Sequence, residues 1–120
     1  MNKTLSALAV VLAGTATASA LEDTNYLLKT AGDLAALCGV PSDPSAIHMC
    51  QGFMVGVHRM QLEIAEATGT QLYCIPQDGS VTRDSISADL SAWIASDAKL
   101  VGMKPAEAVI TWAKTVHPCT

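Results

Sequence analysis

Four cysteines constrain the fold of this chain more than any other feature of its sequence: Cys38, Cys50, Cys74 and Cys119. Such a set in a short chain indicates disulfides, metal ligands or reactive thiols, and the redox compartment decides among them. The sequence contains no Cys-x-x-Cys motif and no Cys/His cluster with zinc spacing. Two disulfides are therefore expected if the chain is exported to an oxidising compartment.

Residues 1–20 have the pattern of a secretory signal peptide. Lys3 gives a positive start, residues 5–13 are almost wholly apolar, and Ala18-Ser19-Ala20 matches the small-x-small site of signal peptidase. The apolar run is shorter than the ~20 residues that cross a bilayer. We therefore expect cleavage near Ala20 and a mature chain from Leu21 that is not held in a membrane.

The mature chain, residues 21–120, is long enough for one domain and not for two. Lys3 is the only charged residue before Leu21, so its removal takes the net charge from −4 to −5. Nucleic acids and anionic lipids both bind basic surface patches, so neither is an expected partner of this acidic chain. Aromatic residues are scarce, and a core of small aliphatic side chains in so small a domain gains much from covalent cross-links.

Helical periodicity dominates the mature chain, and no strand pattern competes with it. The predicted helices run from about Thr24 to Cys38, from Pro44 behind an Asp43 cap to about Thr68, from Ser80 or Thr82 to about Ser96, and from Pro105 to Pro118, with a short helical turn near 98–101. Caps, prolines and glycines set these limits. We predict an all-α fold, a small four-helix domain held by two disulfides.

Each predicted helix has an apolar face that is expected to be buried. The faces comprise Leu27, Ala31, Leu34 and Cys38 in the first helix; Ile47, Cys50, Phe53, Met54, Val57, Met60 and Ile64 in the second; Ile86, Leu90, Trp93 and Ile94 in the third; and Ala106, Val109, Ile110, Ala113 and Val116 in the fourth.

Helix lengths favour one of the three possible disulfide connectivities. A short turn joins the helix ending at Cys38 to the helix containing Cys50, so these cysteines lie within reach of each other. Cys74 precedes the third helix and Cys119 follows the fourth, and antiparallel packing brings them together. A Cys50–Cys74 pair would need six residues to return along about 27 Å of helix, although they reach only ~20 Å. We therefore predict Cys38–Cys50 and Cys74–Cys119.

No constellation in the sequence predicts catalysis, a metal site or a cofactor. His48 and His58 lie about 15 Å apart on one helix, too far to share a metal ion. His58 is interpreted as a solvated or capping residue, and His117 as a packed residue at a helix end. Glu63 and Glu66 belong to a polar helix surface. Because no nucleophile, base and orienting group come together, we predict that the protein is not an enzyme.

The second helix contains a small-x-x-x-small pattern, Gly52 to Gly56, with Phe53 inside it. Such a pattern lets another helix approach closely, either within the fold or across a homodimer. Internal packing is the favoured interpretation, and the Phe53, Met54, Met60 and Trp93 side chains are interpreted as core. A partner-binding surface is the alternative, since Met and Trp suit binding faces.

An ordered set of short motifs carries a resemblance to a known family. The motifs are Cys50-Gln51-Gly52-Phe53-Met54-Val55-Gly56, then Tyr73-Cys74-Ile75-Pro76 followed by Gly79-Ser80-Val81-Thr82, and finally His117-Pro118-Cys119. This set resembles that of the Rap/Tai-type immunity proteins of bacterial type VI secretion, over nearly all of residues 27–119. His117 replaces the family's usual aromatic residue, and residues 96–98 lack a proline often found there.

The resemblance implies a small helical periplasmic protein, often a homodimer, that binds and blocks a peptidoglycan-cleaving amidase effector. It also implies that Gly52, Phe53, Gly56, Pro76 and Pro118 serve the scaffold. Residues that contact the toxin vary among members, so none is assigned. Two alternatives stay open: a periplasmic acid-stress chaperone of the HdeA type, and an exported helical protein with an unrelated partner.

Overall fold

Five α-helices and one 3-10 helix make up the regular structure of residues 21–120, the part of the chain that the computed structural model describes. The 3-10 helix is Asp23–Leu27, and the α-helices are α1 (Ala31–Cys38), α2 (Pro44–Thr68), α3 (Arg83–Ala95), α4 (Ala98–Val101) and α5 (Pro105–Val116). The predicted all-α fold is confirmed, with α4 as the short turn between the third and fourth long helices. The predicted signal peptide lies outside the described residues.

The first predicted helix is wrong at its N-terminal end. Leu28 adopts a positive φ of 48° after the 3-10 helix, and α1 begins only after Thr30. The Thr30 hydroxyl accepts the Asp33 N–H at 3.2 Å, and the Asp33 carboxylate accepts the Thr30 N–H at 2.9 Å. In a continuous helix the Thr30 and Asp33 N–H groups would donate to carbonyls of the preceding turn. Here the capping box accepts them instead, so α1 starts after Thr30. Leu27 consequently lies outside the core, with 61% of its surface exposed.

Helix α1 lies at the centre of the fold and packs against each of the other helices. Its Leu34 and Leu37 side chains are fully buried, together with Leu90 and Ile94 of α3. Burial of each such side chain contributes roughly 1.5–3 kcal/mol. The short central helix therefore organises the core that positions the other four.

Helix α2 begins and ends as its sequence predicts. The Asp43 carboxylate accepts the Ala46 N–H at 3.1 Å, and Gly69 closes the helix with a φ of 73°. Its predicted buried stripe is wrong in the C-terminal half, where Met60 is 63% and Ile64 49% exposed. At ~1.5 Å per residue α2 extends far beyond the eight residues of α1, so little covers its last turns.

Helix α5 buries a face that shares Val109 and Ala113 with the predicted one but is rotated from it. Trp112, absent from the predicted face, is buried beside Val109 and Ala113, whereas Ala106 and Val116 are exposed. The buried set Ala108, Val109, Trp112 and Ala113 keeps the helical i, i+1, i+4, i+5 spacing. The helix is thus rotated so that its largest side chain reaches α2 and the loop after it.

Candidate functional site

Both predicted disulfides are present. Cys38–Cys50 joins the end of α1 to α2 with a Cα–Cα distance of 5.2 Å, and Cys74–Cys119 joins the 69–82 loop to the C-terminal segment at 4.9 Å. Beside the second bond, the Cys74 N–H donates to the His117 carbonyl at 2.8 Å. The loop between α2 and α3 is therefore tied to the end of α5.

This tied loop closes one side of a pocket of about 690 Å³. The pocket lies between α2, α3, α5 and the loop, and we call it the loop pocket. Its apolar lining includes Met54, Ile86, Val109 and Trp112, and its polar lining includes Gln51, His58, Arg59, Tyr73, Gln77 and Arg83. A volume of this size lies within the range of ligand-binding clefts.

His58 and Tyr73 connect α2 to the loop inside this pocket. The His58 Nδ1 atom lies 3.3 Å from the Tyr73 Oη atom, and the two rings are 5.7 Å apart and tilted by 31°. Burial, with a smaller effect from the Arg59 charge, lowers the pKa of His58 below its usual 6.5. His58 is half-buried, and its contact with the fully buried Tyr73 is a role that the prediction of a solvated or capping residue did not include.

Gln61 is a buried polar residue that the sequence analysis missed. Its Oε1 atom accepts the Leu72 N–H at 3.1 Å, while its Nε2 atom is buried without a partner among residues 21–120. Reversing the amide would place NH₂ against the Leu72 N–H, so the loop fixes the orientation. Its spacing from Cys50, Met54 and Val57 continues the buried face of α2, which is the signal that could have found it.

The charged side chains that line the loop pocket are Arg59 of α2 and Arg83 of α3, and no carboxylate of residues 21–120 joins them. Nearby, Gln51 Nε2 donates to a carboxylate oxygen of Asp84 at 2.8 Å. Asp84 itself lines a second, smaller groove between α1 and α3. The loop pocket therefore combines an apolar floor with a cationic rim.

The Gly52–Gly56 pattern lies on the solvent-facing side of α2. A Cβ atom built at either glycine would meet nothing within 4 Å, so no helix of residues 21–120 packs there. The internal-packing interpretation is therefore wrong, because α1 and α5 contact other faces of α2. Exposed Met49, Met60 and Ile64 and half-buried Phe53 continue the same side of the helix.

The remaining residues from the sequence analysis are scattered. His48 is exposed, and Pro76 and Pro118 lie exposed beside the two cysteines of the second disulfide. His117 ends α5 and packs edge-on against Trp112 at 5.7 Å, which confirms the prediction of a packed helix-end residue. Glu63 and Glu66 are exposed, as a polar helix surface requires.

Residues 21–120 contain no group of three or more His, Cys, Asp or Glu side chains placed to hold a metal ion. Among their helices, none combines the length and the apolar character needed to cross a bilayer.

The geometry defines a disulfide-linked helical protein with a preformed pocket. The family model of the Rap1a immunity proteins matches residues 30–119, and the chain belongs to that family. The matched region includes all four cysteines, the loop pocket and both arginines of its rim. No curated protein and no solved structure matches the chain. The chain is thus an immunity protein by family, and membership in this family implies a protein effector of type VI secretion as its partner.

Proposed function

We propose that this chain is a periplasmic immunity protein that binds and inhibits a peptidoglycan amidase effector. The observation that carries the proposal is the family match over residues 30–119, which spans both disulfides and every long helix. Amidases of this kind cut peptide cross-links of the cell wall. A cell exposed to one needs its inhibitor where the wall is.

Inhibition by binding requires a surface that is already folded before the effector arrives, since ordering it on contact costs affinity. Cys38–Cys50 and Cys74–Cys119 cross-link the helices and the loop that would form such a surface. The protein therefore acts by occupying the effector, with no catalytic step and no cofactor of its own.

Two features support the periplasm as its location. Residues 1–20 have the pattern of a signal peptide, and disulfides of small domains persist mainly in oxidising compartments. Export before folding would deliver the reduced chain to the place where both bonds form.

The outer side of α2 is the surface that we propose for a homodimer. Gly52 and Gly56 leave the backbone open to close approach, and Met49, Met60 and Ile64 offer apolar contacts beside them. A second copy presents the same side, so a two-fold axis across α2 would bury it on both chains.

A protection assay tests the proposed function in cells. The cognate amidase effector that the proposal requires is directed to the periplasm of a susceptible strain that carries the full-length chain or a version beginning at Leu21 behind a start methionine. We expect survival with the full-length chain and lysis with the version that cannot be exported. Lysis in both strains at equal protein levels would overturn the proposal.

A further inference from the structure

We propose that the loop pocket receives a carboxylate-bearing segment of the effector, in which an acidic side chain neighbours an apolar one. The inference rests on the proposed function and assigns the chemistry of the contact. It follows from the distribution of charge, the position of one arginine on its helix, and the composition of the pocket floor.

The charge distribution is the first argument. The sequence has only two arginines, Arg59 and Arg83, and both line the loop pocket although they are 24 residues apart in the chain. Residues 21–120 carry a net charge of −5, so their other charged side chains sum to −7. An acidic segment is repelled by most of this surface and attracted to the pocket, which favours one docking position.

The position of Arg83 is the second argument. It is the first residue of α3, where the partial positive charge of the helix N-terminus disfavours a cation. Helix stability therefore does not explain an arginine there. The Thr82 side chain already caps α3 by accepting the Ser85 N–H at 3.1 Å. The cap is thus made by Thr82, and the charge of the Arg83 guanidinium raises the positive electrostatic potential at the rim of the loop pocket.

The choice of side chain points to a carboxylate. Arginine presents a planar set of donors that matches a carboxylate with two parallel hydrogen bonds, whereas lysine acts as a point charge. The four lysines of residues 21–120, which are Lys29, Lys99, Lys104 and Lys114, do not line the pocket. The chain thus keeps its bidentate donors at this one place.

The pocket floor defines the rest of the ligand. Met54, Val109 and Trp112 are buried beneath the rim, and half-buried Ile86 adjoins them. A bare anion would leave this apolar surface unused. An apolar side chain next to the acidic one would fill it, and about 690 Å³ leaves room for both.

The test measures binding of the exported chain to its cognate amidase effector, by calorimetry at neutral pH. The variants are Arg59→Gln, Arg83→Gln and both together, and the matched controls are Lys99→Gln and Lys104→Gln, which remove the same charge elsewhere. We expect each arginine substitution to weaken binding about tenfold or more, and the controls to change it less than threefold. We also expect Arg83→Lys to recover only part of the affinity.

Salt provides a second readout that a misfolded variant would not mimic. Affinity of the parent chain should fall as salt rises from 50 to 500 mM, and the double variant should show a much flatter dependence. Unchanged thermal unfolding of the variants confirms that the exposed arginines are not needed for folding.

The outcomes separate this inference from the function on which it rests. Tight binding by the parent chain with no loss in the double variant overturns the pocket assignment and leaves the immunity function intact. The same result accompanied by acetate-induced NMR shifts at Arg59 and Arg83 identifies a free carboxylate as the ligand and also overturns it. Absence of any binding by the parent chain overturns both.

Discussion

The His58 Nδ1 atom lies 3.3 Å from the Tyr73 Oη atom, and this contact fastens the middle of α2 to a loop that is disulfide-linked to the C-terminus. Tyr73 is fully buried, so it shields the histidine from water on one side. The contact therefore links the pH response of the fold to the geometry of the loop pocket.

Stability should decrease as the pH falls below 6.5. The folded-state pKa of His58 is lowered from 6.5 by burial and then by Arg59, so the unfolded chain takes up the proton first. The loss begins near pH 6.5 and levels off once the pH is below the folded pKa. Thermal unfolding between pH 7.5 and 5 should show a shallower decrease for His58→Gln than for the parent chain. Exposed His48→Gln is the control, and equal slopes in all three proteins would contradict the assignment.

Gly56→Ala should stabilise the isolated chain and weaken self-association. Its added Cβ meets nothing within 4 Å, and alanine in a helix interior is favoured over glycine by about 0.5–1 kcal/mol. Denaturant unfolding is measured where sedimentation shows a monomer, and sedimentation at micromolar concentration reports the dimer.

Gly32→Ala is the matched control, because its added Cβ would lie 2.7 Å from Val101 Cγ1, so the exposed Val101 side chain must move and the gain in stability should be smaller than for Gly56→Ala. A parent chain that sediments as a monomer at every concentration would remove the proposed dimer. Destabilisation by Gly56→Ala would show instead that the outer side of α2 is covered within the chain.

The two disulfides should contribute unequally to stability. Cys74–Cys119 closes a loop of 45 residues and Cys38–Cys50 one of 12, which correspond to about 4 and about 3 kcal/mol on the chain-entropy model. Denaturant unfolding of the Cys74→Ser/Cys119→Ser and Cys38→Ser/Cys50→Ser pairs measures both. If the Cys74→Ser/Cys119→Ser variant were as stable as the parent chain, the 69–82 loop would be held in place without its disulfide.

Acid should loosen the protein without making it a chaperone. Burial raises the pKa of Asp33, but hydrogen bonds from Thr30 and Asn25 lower it by more, so this carboxylate stabilises the fold above pH 3.8. That contribution is lost as the pH falls through the lowered value. The two disulfides limit further opening, and we expect no suppression of client aggregation at pH 2–3. Protection of a denatured client there would favour the acid-stress chaperone.

Local chemistry made much of this fold predictable. Asp43, Pro44 and Gly69 set the limits of α2 because capping depends on a few neighbouring residues. The disulfide connectivity followed from helix lengths alone, since a rigid rod restricts which cysteines can meet. These features depend on short stretches of chain, so a single sequence contains them.

The errors in the buried faces and in the site have a tertiary cause. Helical spacing predicted that Met60 and Ile64 are buried with the other apolar residues of α2. Their burial depends on how far α1 extends along α2, and the spacing of residues in α2 gives no information about that. The loop pocket needs Tyr73, His58 and two arginines from separate segments to converge. That convergence depends on the Cys74–Cys119 bond and on the rotation of α5, and neither is visible in any one helix.

Direct inhibition of the effector is the closest test of the central claim. The exported chain is titrated into the purified cognate amidase effector, with cross-linked peptidoglycan fragments as substrate at neutral pH, and cleavage is followed by mass spectrometry. We expect activity to fall to background at a fixed molar ratio, with the folded protein recovered intact in a complex with the enzyme. Undiminished cleavage in the presence of excess folded protein would contradict the account.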